Sequence, residues 1–185
     1  TQSRELREAL APCHFNQPMV TQAPCMITVC ADVHRFSMWC EQRDAEPCYD
    51  NFAWFLNGVT DALLAAQNLC VEAEAHGLGI CYLGTTIYTA EEIARILDLP
   101  KGVIPVTTIV VGHPDESPEL TDRLPLDAVV HCEKYHHYTS SEIDELWAEK
   151  ETSEETRRLL EENGLPNLAQ IFTRNRYRAE DNLAI

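Results

Sequence analysis

A mixed fold of helices packed on short strands is what this sequence predicts, and three observations carry the prediction. Apolar residues recur at helical spacing from Phe55 to Ala73. Short apolar, β-rich runs occupy 26–31, 78–83 and 104–111. Glycine, proline and capping-type residues punctuate the chain between these runs. With 185 residues there is room for one sizeable domain with a real core, which we read as spanning 1–185.

In chain order, Ser3 to Leu10 has a helical pattern, and a polar linker follows through Asn16 and Gln17. Met26 to Ala31 reads as a strand ending at Asp32. Val33 to Asn51 has no clean period, contains Pro47, and is expected to cover something. The long helix after it carries Phe55, Val59, Ala62, Ala66, Leu69 and Ala73 in steps of four and three. Leu56, Leu63, Leu64, Cys70 and Val71 widen its apolar surface, leaving a narrow polar stripe through Asn57, Asp61, Asn68 and Glu72. Such a helix is expected to be buried on several sides. Gly77 suits the left-handed position that closes it, and Leu78 to Leu83 then extend as a strand. Gly84 lets a backbone pass close to whatever lies at the strand's end, although turn-making alone also accounts for these glycines.

Thr89-Ala-Glu-Glu92 has the capping-box pattern, so a helix is expected to start there and to stop before Pro100. Ile104 to Val111 is the strongest strand, ended by Gly112-His113-Pro114. A second box, Thr152-Ser-Glu-Glu155, predicts a helix that Gly164 and Pro166 terminate. The stretch Glu142 to Glu162 holds nine acidic and three basic residues, the pattern of a solvated helical face.

Charge and cysteine content narrow the function. A net charge of −16 excludes, on electrostatic grounds, a nucleic-acid partner, and an anionic ligand needs a local island of positive charge. No run is apolar and long enough to cross a membrane. The eight cysteines contain no C-x-x-C pair and read as reduced thiols of a cytoplasmic protein. A metal at His131, Cys132, His136 and His137 is disfavoured on spacing, and no metal is expected. A cysteine nucleophile at Cys132 with His131 is disfavoured too, because neighbours on a strand point to opposite faces.

The segment Gly112 to Pro125 is proline-punctuated and reads as an ordered loop whose single base is Arg123. A guanidinium on a rigid loop suits a phosphate, to which its fork donates two parallel hydrogen bonds. A salt bridge from Arg123 to Asp122 or Glu119 is the competing reading.

Together these tracts resemble the nitroreductase family, and most closely its NADPH-dependent nitroreductase and flavin reductase branch. The resemblance rests on A-x-Q-N-L-x-x-x-A-x-x-x-G-L-G-x-C-Y-L-G from Ala65 to Gly84, and on Leu97-Asp-Leu-Pro100. Val110-Val-Gly-His-Pro114, Arg123-Leu-Pro125 and Val130-His-x-Glu-x-Tyr135 continue it, while Gln17, Ala23-Pro24 and Ala31-Asp32 fit upstream. The resemblance implies an α+β fold, with a central, mostly antiparallel sheet flanked by helices in a domain-swapped-type homodimer. It implies FMN at the subunit interface and hydride from NADPH or NADH. The acceptors would be small molecules (a nitroaromatic, a quinone or a free flavin), reached by ping-pong kinetics.

Carried over by position, Gln17, Pro18 and Met19 would contact the flavin. The backbone of Tyr82, Leu83, Gly84 and Thr85 would lie along its ring edge, and Thr121 and Arg123 would hold its phosphate. Where family members often have Lys-Pro-Arg, this chain has Thr121-Asp122-Arg123. Arg174 and Arg176, with Arg178, would meet a nicotinamide-cofactor phosphate, or else form a solvated tail. The family's opening Arg/His-x-Ser-x-Arg segment, its first helices and its closing helices have no counterpart in this sequence. The expectation is a piece of a longer protein that keeps the family function; the alternative is a non-catalytic dimeric interaction protein with a degenerate flavin site.

Overall fold

The computed structural model describes residues 1–118 and 120–182. By packing they divide into two compact units, Thr1–Ser117 and Pro118–Ile185.

The first unit runs α1 (Arg4–Leu10), α2 (Pro18–Gln22), β1 (Cys25–Asp32), α3 (His34–Glu41), α4 (Phe52–Ala75), β2 (Gly79–Leu83), α5 (Ala90–Ile96) and β3 (Val103–Gly112). The three strands form one antiparallel sheet in the order β1-β3-β2. The strand with the longest apolar run is therefore central, where both of its faces are covered. On one face Met26, Leu83 and Val110 pack with Leu10, Val20 and Ile93 from the short helices. On the other, Val29, Ile80, Ile109 and Val111 meet Ala66 and Cys70 of α4.

Central strands exclude proline unless a bulge or a free edge makes its missing N–H harmless. Pro105 has both. The β1 register steps from Val29↔Thr107 to Cys30↔Pro105, so Val106 is an extra residue on β3. Strand β2 reaches only as far as Thr108, which leaves Pro105 paired on one side alone.

Helix α4 confirms the predicted period and corrects the predicted burial. Its inward stripe lies on the sheet, yet only Ala66 and Cys70 are buried. Phe52 is 72% exposed, Leu64 64% and Val71 57%. At 100° per residue, Phe52, Leu56, Leu63, Leu64 and Val71 form a second apolar stripe to one side of the first. The described residues offer α4 one sheet, and only one stripe is covered by it. Gly77 does adopt the left-handed conformation, with φ 74°.

One stretch without a clean period turns out to hold a helix, and two capping expectations fail, each for an identifiable reason. Residues 34–41 are helical after all, because the Asp32 carboxylate accepts the Arg35 N–H at 3.1 Å, and Phe36 and Trp39 stack one turn apart at 5.5 Å. Thr89 does not cap α5; its hydroxyl donates to the Cys13 carbonyl at 2.8 Å, and Glu92 pairs with Arg95. Ser153, not Thr152, caps the helix that begins at Glu154.

The second unit contains α6 (Ser140–Thr152), α7 (Glu154–Asn163), α8 (Leu168–Ile171) and α9 (Ala179–Asn182). A complete capping box starts α6, with the Thr139 hydroxyl and the Glu142 carboxylate each taking the other's backbone N–H. Gly164, at φ 62°, closes α7. Leu168, Ile171 and Thr156 are buried, whereas the acidic faces of α6 and α7 are largely exposed. All eight cysteines of the chain are free thiols; Cys48 and Cys132 are exposed.

Candidate functional site

The end of β2 and the segment before α2 form one site in the first unit. After Leu83 the chain enters a tight helical turn, Gly84–Thr89, held by its three buried or half-buried threonines. Thr85 Oγ1 lies 2.8 Å from His14 Nδ1, and Thr89 Oγ1 donates to the Cys13 carbonyl. Thr86 Oγ1 bonds both the Leu83 carbonyl and Thr108 Oγ1 at 3.0 Å. On the opposing segment, Phe15 and Asn16 both sit at φ 54°, which folds the chain back so that Gln17 takes the N-cap position of α2. The Gln17 N–H donates to the His14 carbonyl at 3.1 Å. Gln17, Pro18 and Met19 are thereby tied, through His14, to the turn carrying Gly84 and Thr85.

The exposed faces of this site differ in character. Gln17 is half-buried and its side-chain amide bonds no other described residue. Pro18 is exposed, and Met19 packs on the core cluster that contains Leu83. Tyr82 turns toward α4, where its hydroxyl donates to Gln67 Oε1 at 3.3 Å. A hydrogen bond with the Cys70 thiol, and then burial, push the Tyr82 pKa up to about 12, so the phenol keeps its proton. Gly84 is not in the left-handed region, and a Cβ built on it would meet nothing within 4 Å. Neither strain nor crowding within the protein therefore requires a glycine there. The space in front of it is open. Beneath the turn, His14 is fully buried; burial pushes its pKa down, and Nε2 has no partner among the described residues.

The remaining candidates lie in the second unit. Arg123 Nη1 donates to the Thr121 hydroxyl, to the Thr121 carbonyl at 3.3 Å and to the Asp122 carbonyl at 2.9 Å. Asp122 is not its salt-bridge partner. Both Asp122 oxygens are bound by Lys150 Nζ, at 2.8 and 2.9 Å, and this lysine holds the carboxyl below its usual range. Glu119 lies outside the described residues. Thr121, Lys150 and Arg176 share the lining of a cleft of about 250 Å³. Arg174 and Arg176 stand on a π-helical turn, with Arg176 over the Phe172 ring at 5.8 Å, and Arg178 pairs with Glu180.

Two other groups of residues prove to be outside any such site. His131 packs its ring on Tyr135 at 4.5 Å, and His136 pairs with Glu142 at 3.0 Å. Residues 129–139 form no strand, so the strand geometry expected for His131 and Cys132 does not apply. In the first unit a larger cleft, about 650 Å³, is walled by Phe52, Phe55, Leu99 and Ile104 and includes none of the site residues.

The nitroreductase family model matches residues 2–113, which is nearly the whole of the first unit. The chain belongs to the nitroreductase family. It is 33% identical over 134 residues to the FMN reductase (NADPH) of Bacillus subtilis, covering 71% of this chain and 54% of that protein. It is 36% identical over 132 residues to the oxygen-insensitive NADPH nitroreductase of Salmonella typhimurium, covering 71% and 53%. The chain thus spans about half the length of these curated relatives. A crystal structure of a Bacteroides fragilis protein superposes with a TM-score of 0.96 at 48% identity, over all of this chain and 75% of that one. The α+β architecture is that of the family.

Sequence reasoning missed His14, the Thr86–Thr108 pair and Lys150. No spacing could have found them, since their bonds join residues 71, 22 and 28 positions apart.

Proposed function

We propose that this chain forms the cofactor-binding part of an NAD(P)H-dependent FMN oxidoreductase. The observation that supports it best is the open space before Gly84, at the end of a strand whose turn is bonded to the Gln17 segment. The residues fit a flavin: a glycine edge admits a planar ring at contact distance, and the unengaged Gln17 amide supplies a donor and an acceptor beside it. Bound FMN would supply the hydride-accepting and hydride-donating chemistry that no side chain of this site offers.

The chain's own residues do the rest. In the first unit, Gly84 and the peptide groups around it orient the ring, and Met19 and Pro18 offer it apolar contact; in the second, Thr121 and Arg123 are the residues suited to a phosphate. With both Asp122 oxygens occupied by Lys150, the guanidinium of Arg123 pairs with no carboxylate among the described residues. Arg176, with Arg174 on the same turn, is assigned to the phosphate of the nicotinamide donor. Donor and acceptor use the one open face in turn, which gives ping-pong kinetics with nitroaromatic, quinone or flavin acceptors. The exposed stripe of α4, running through Leu56, Leu63 and Leu64, is assigned to a second copy of the chain. A thiol-rich acidic protein of this kind suits the cytoplasm.

The test is a visible spectrum of the purified protein before and after NADPH or NADH. A yellow preparation that bleaches on addition supports the reading; one that is colourless as purified and retains no flavin after incubation with FMN and desalting overturns it in favour of a non-catalytic dimeric protein. Arg123→Ala should weaken FMN retention by about tenfold or more, the worth of a charge-assisted bond, without unfolding the protein. Equal retention would remove Arg123 from the site.

A further inference from the structure

We propose that His14 is a positioning residue for the glycine turn: its imidazole holds the Thr85 hydroxyl and so fixes, from inside the core, the peptide edge against which the cofactor ring lies. This rests on the flavin reading of the turn. The tie itself is seen directly, His14 Nδ1 to Thr85 Oγ1 at 2.8 Å, with the imidazole 0% exposed. The turn's other two hydroxyl ties lie further along it: Thr86 is bonded to Leu83 and Thr108, and Thr89 to Cys13. Thr85 is the hydroxyl adjoining Gly84, the residue of the turn with the greatest intrinsic backbone freedom, and no atom lies within 4 Å of where a side chain would start there. Rotation there would swing the very N–H and C=O groups that face the ring.

The chemistry of the buried ring points the same way. His14 Nε2 is buried without a partner among the described residues. A residue kept only to fill space would be better as an apolar side chain, which leaves no orphaned nitrogen. The cost of Nε2 is explained if Nδ1 does something that Leu or Phe cannot. Burial also keeps the ring neutral, and because a hydroxyl both donates and accepts, either neutral tautomer preserves the bond.

The experiment compares the wild type with Thr85→Val, Thr85→Ser, His14→Phe and the His14→Phe/Thr85→Val double variant. Amide hydrogen exchange is read at residues 84–86 in protein stripped of flavin, and FMN affinity by fluorescence titration. Thr85→Val and His14→Phe should each speed exchange at 84–86 by about tenfold, with α4 unchanged, and weaken FMN in the same order. Thr85→Ser should stay within about twofold of wild type, and the double variant should be no worse than the singles. Wild-type exchange in Thr85→Val, or multiplying effects in the double variant, would overturn the proposal. Should His14→Phe not fold, the Thr85 pair decides alone. A wild type that binds no FMN would overturn the cofactor half, while exchange still decides the tie.

Discussion

At the scale of single residues, the buried polar groups of the first unit are the sensitive ones. The Thr86 and Thr108 hydroxyls are fully buried and bond each other, so Thr86→Val leaves the Leu83 carbonyl and the Thr108 hydroxyl without that partner. The expected loss is about 1–3 kcal/mol, read as a lower urea midpoint at unchanged slope. His14 sets a pH dependence. Burial depresses its native pKa below the ordinary value of about 6.5, so below that pH the unfolded chain binds more protons than the native one. Its stabilising contribution is complete above about pH 6.5 and is lost as pH falls toward the native pKa. Urea midpoints from pH 5 to 8 should slope in that window for the wild type and lose that component in His14→Phe. An identical slope in the variant would assign the titration to another group.

At the scale of elements, the sequence was most legible where periodicity was long. Helix α4 supplies 24 residues of pattern, and β3 supplies ten, enough for both to be placed. Residues 34–41 were illegible because eight residues, with Phe36, Met38, Trp39 and Cys40 as the apolar positions, give hardly two turns of period. The capping signal was misleading at Thr89 because a partner 76 positions away captured the hydroxyl, while the same Thr-x-x-Glu pattern at Thr139 closes as a full box. The tie between the tracts Gln17–Met19 and Tyr82–Thr85 runs through a histidine that no spacing reveals. A test of element termination is Gly77→Ala. No atom lies near the added methyl group, so the cost is backbone strain at φ 74° alone, about 1–2 kcal/mol, measurable as a lowered melting temperature.

At the scale of the whole molecule, the second stripe of α4 is the feature that reaches beyond one chain. If two copies meet there, each exposed leucine is buried twice in a symmetric contact, at about 1.5–3 kcal/mol per side chain. Leu64, 64% exposed, is the sharpest probe. Leu64→Glu should weaken self-association by at least about tenfold in sedimentation equilibrium while the fold is kept. Sedimentation identical to wild type would place the contact elsewhere.

The free thiols bear on how such a measurement is made. Cys48 and Cys132 are exposed thiols that take part in no disulfide. In aerated buffer such sulfurs link molecules covalently by oxidation and exchange. Those adducts would mimic a dimer on a sizing column and form a ladder on a non-reducing gel. Reductant dissolves a covalent ladder and leaves a greasy seam between helices intact, so the two kinds of pairing part company in a single tube.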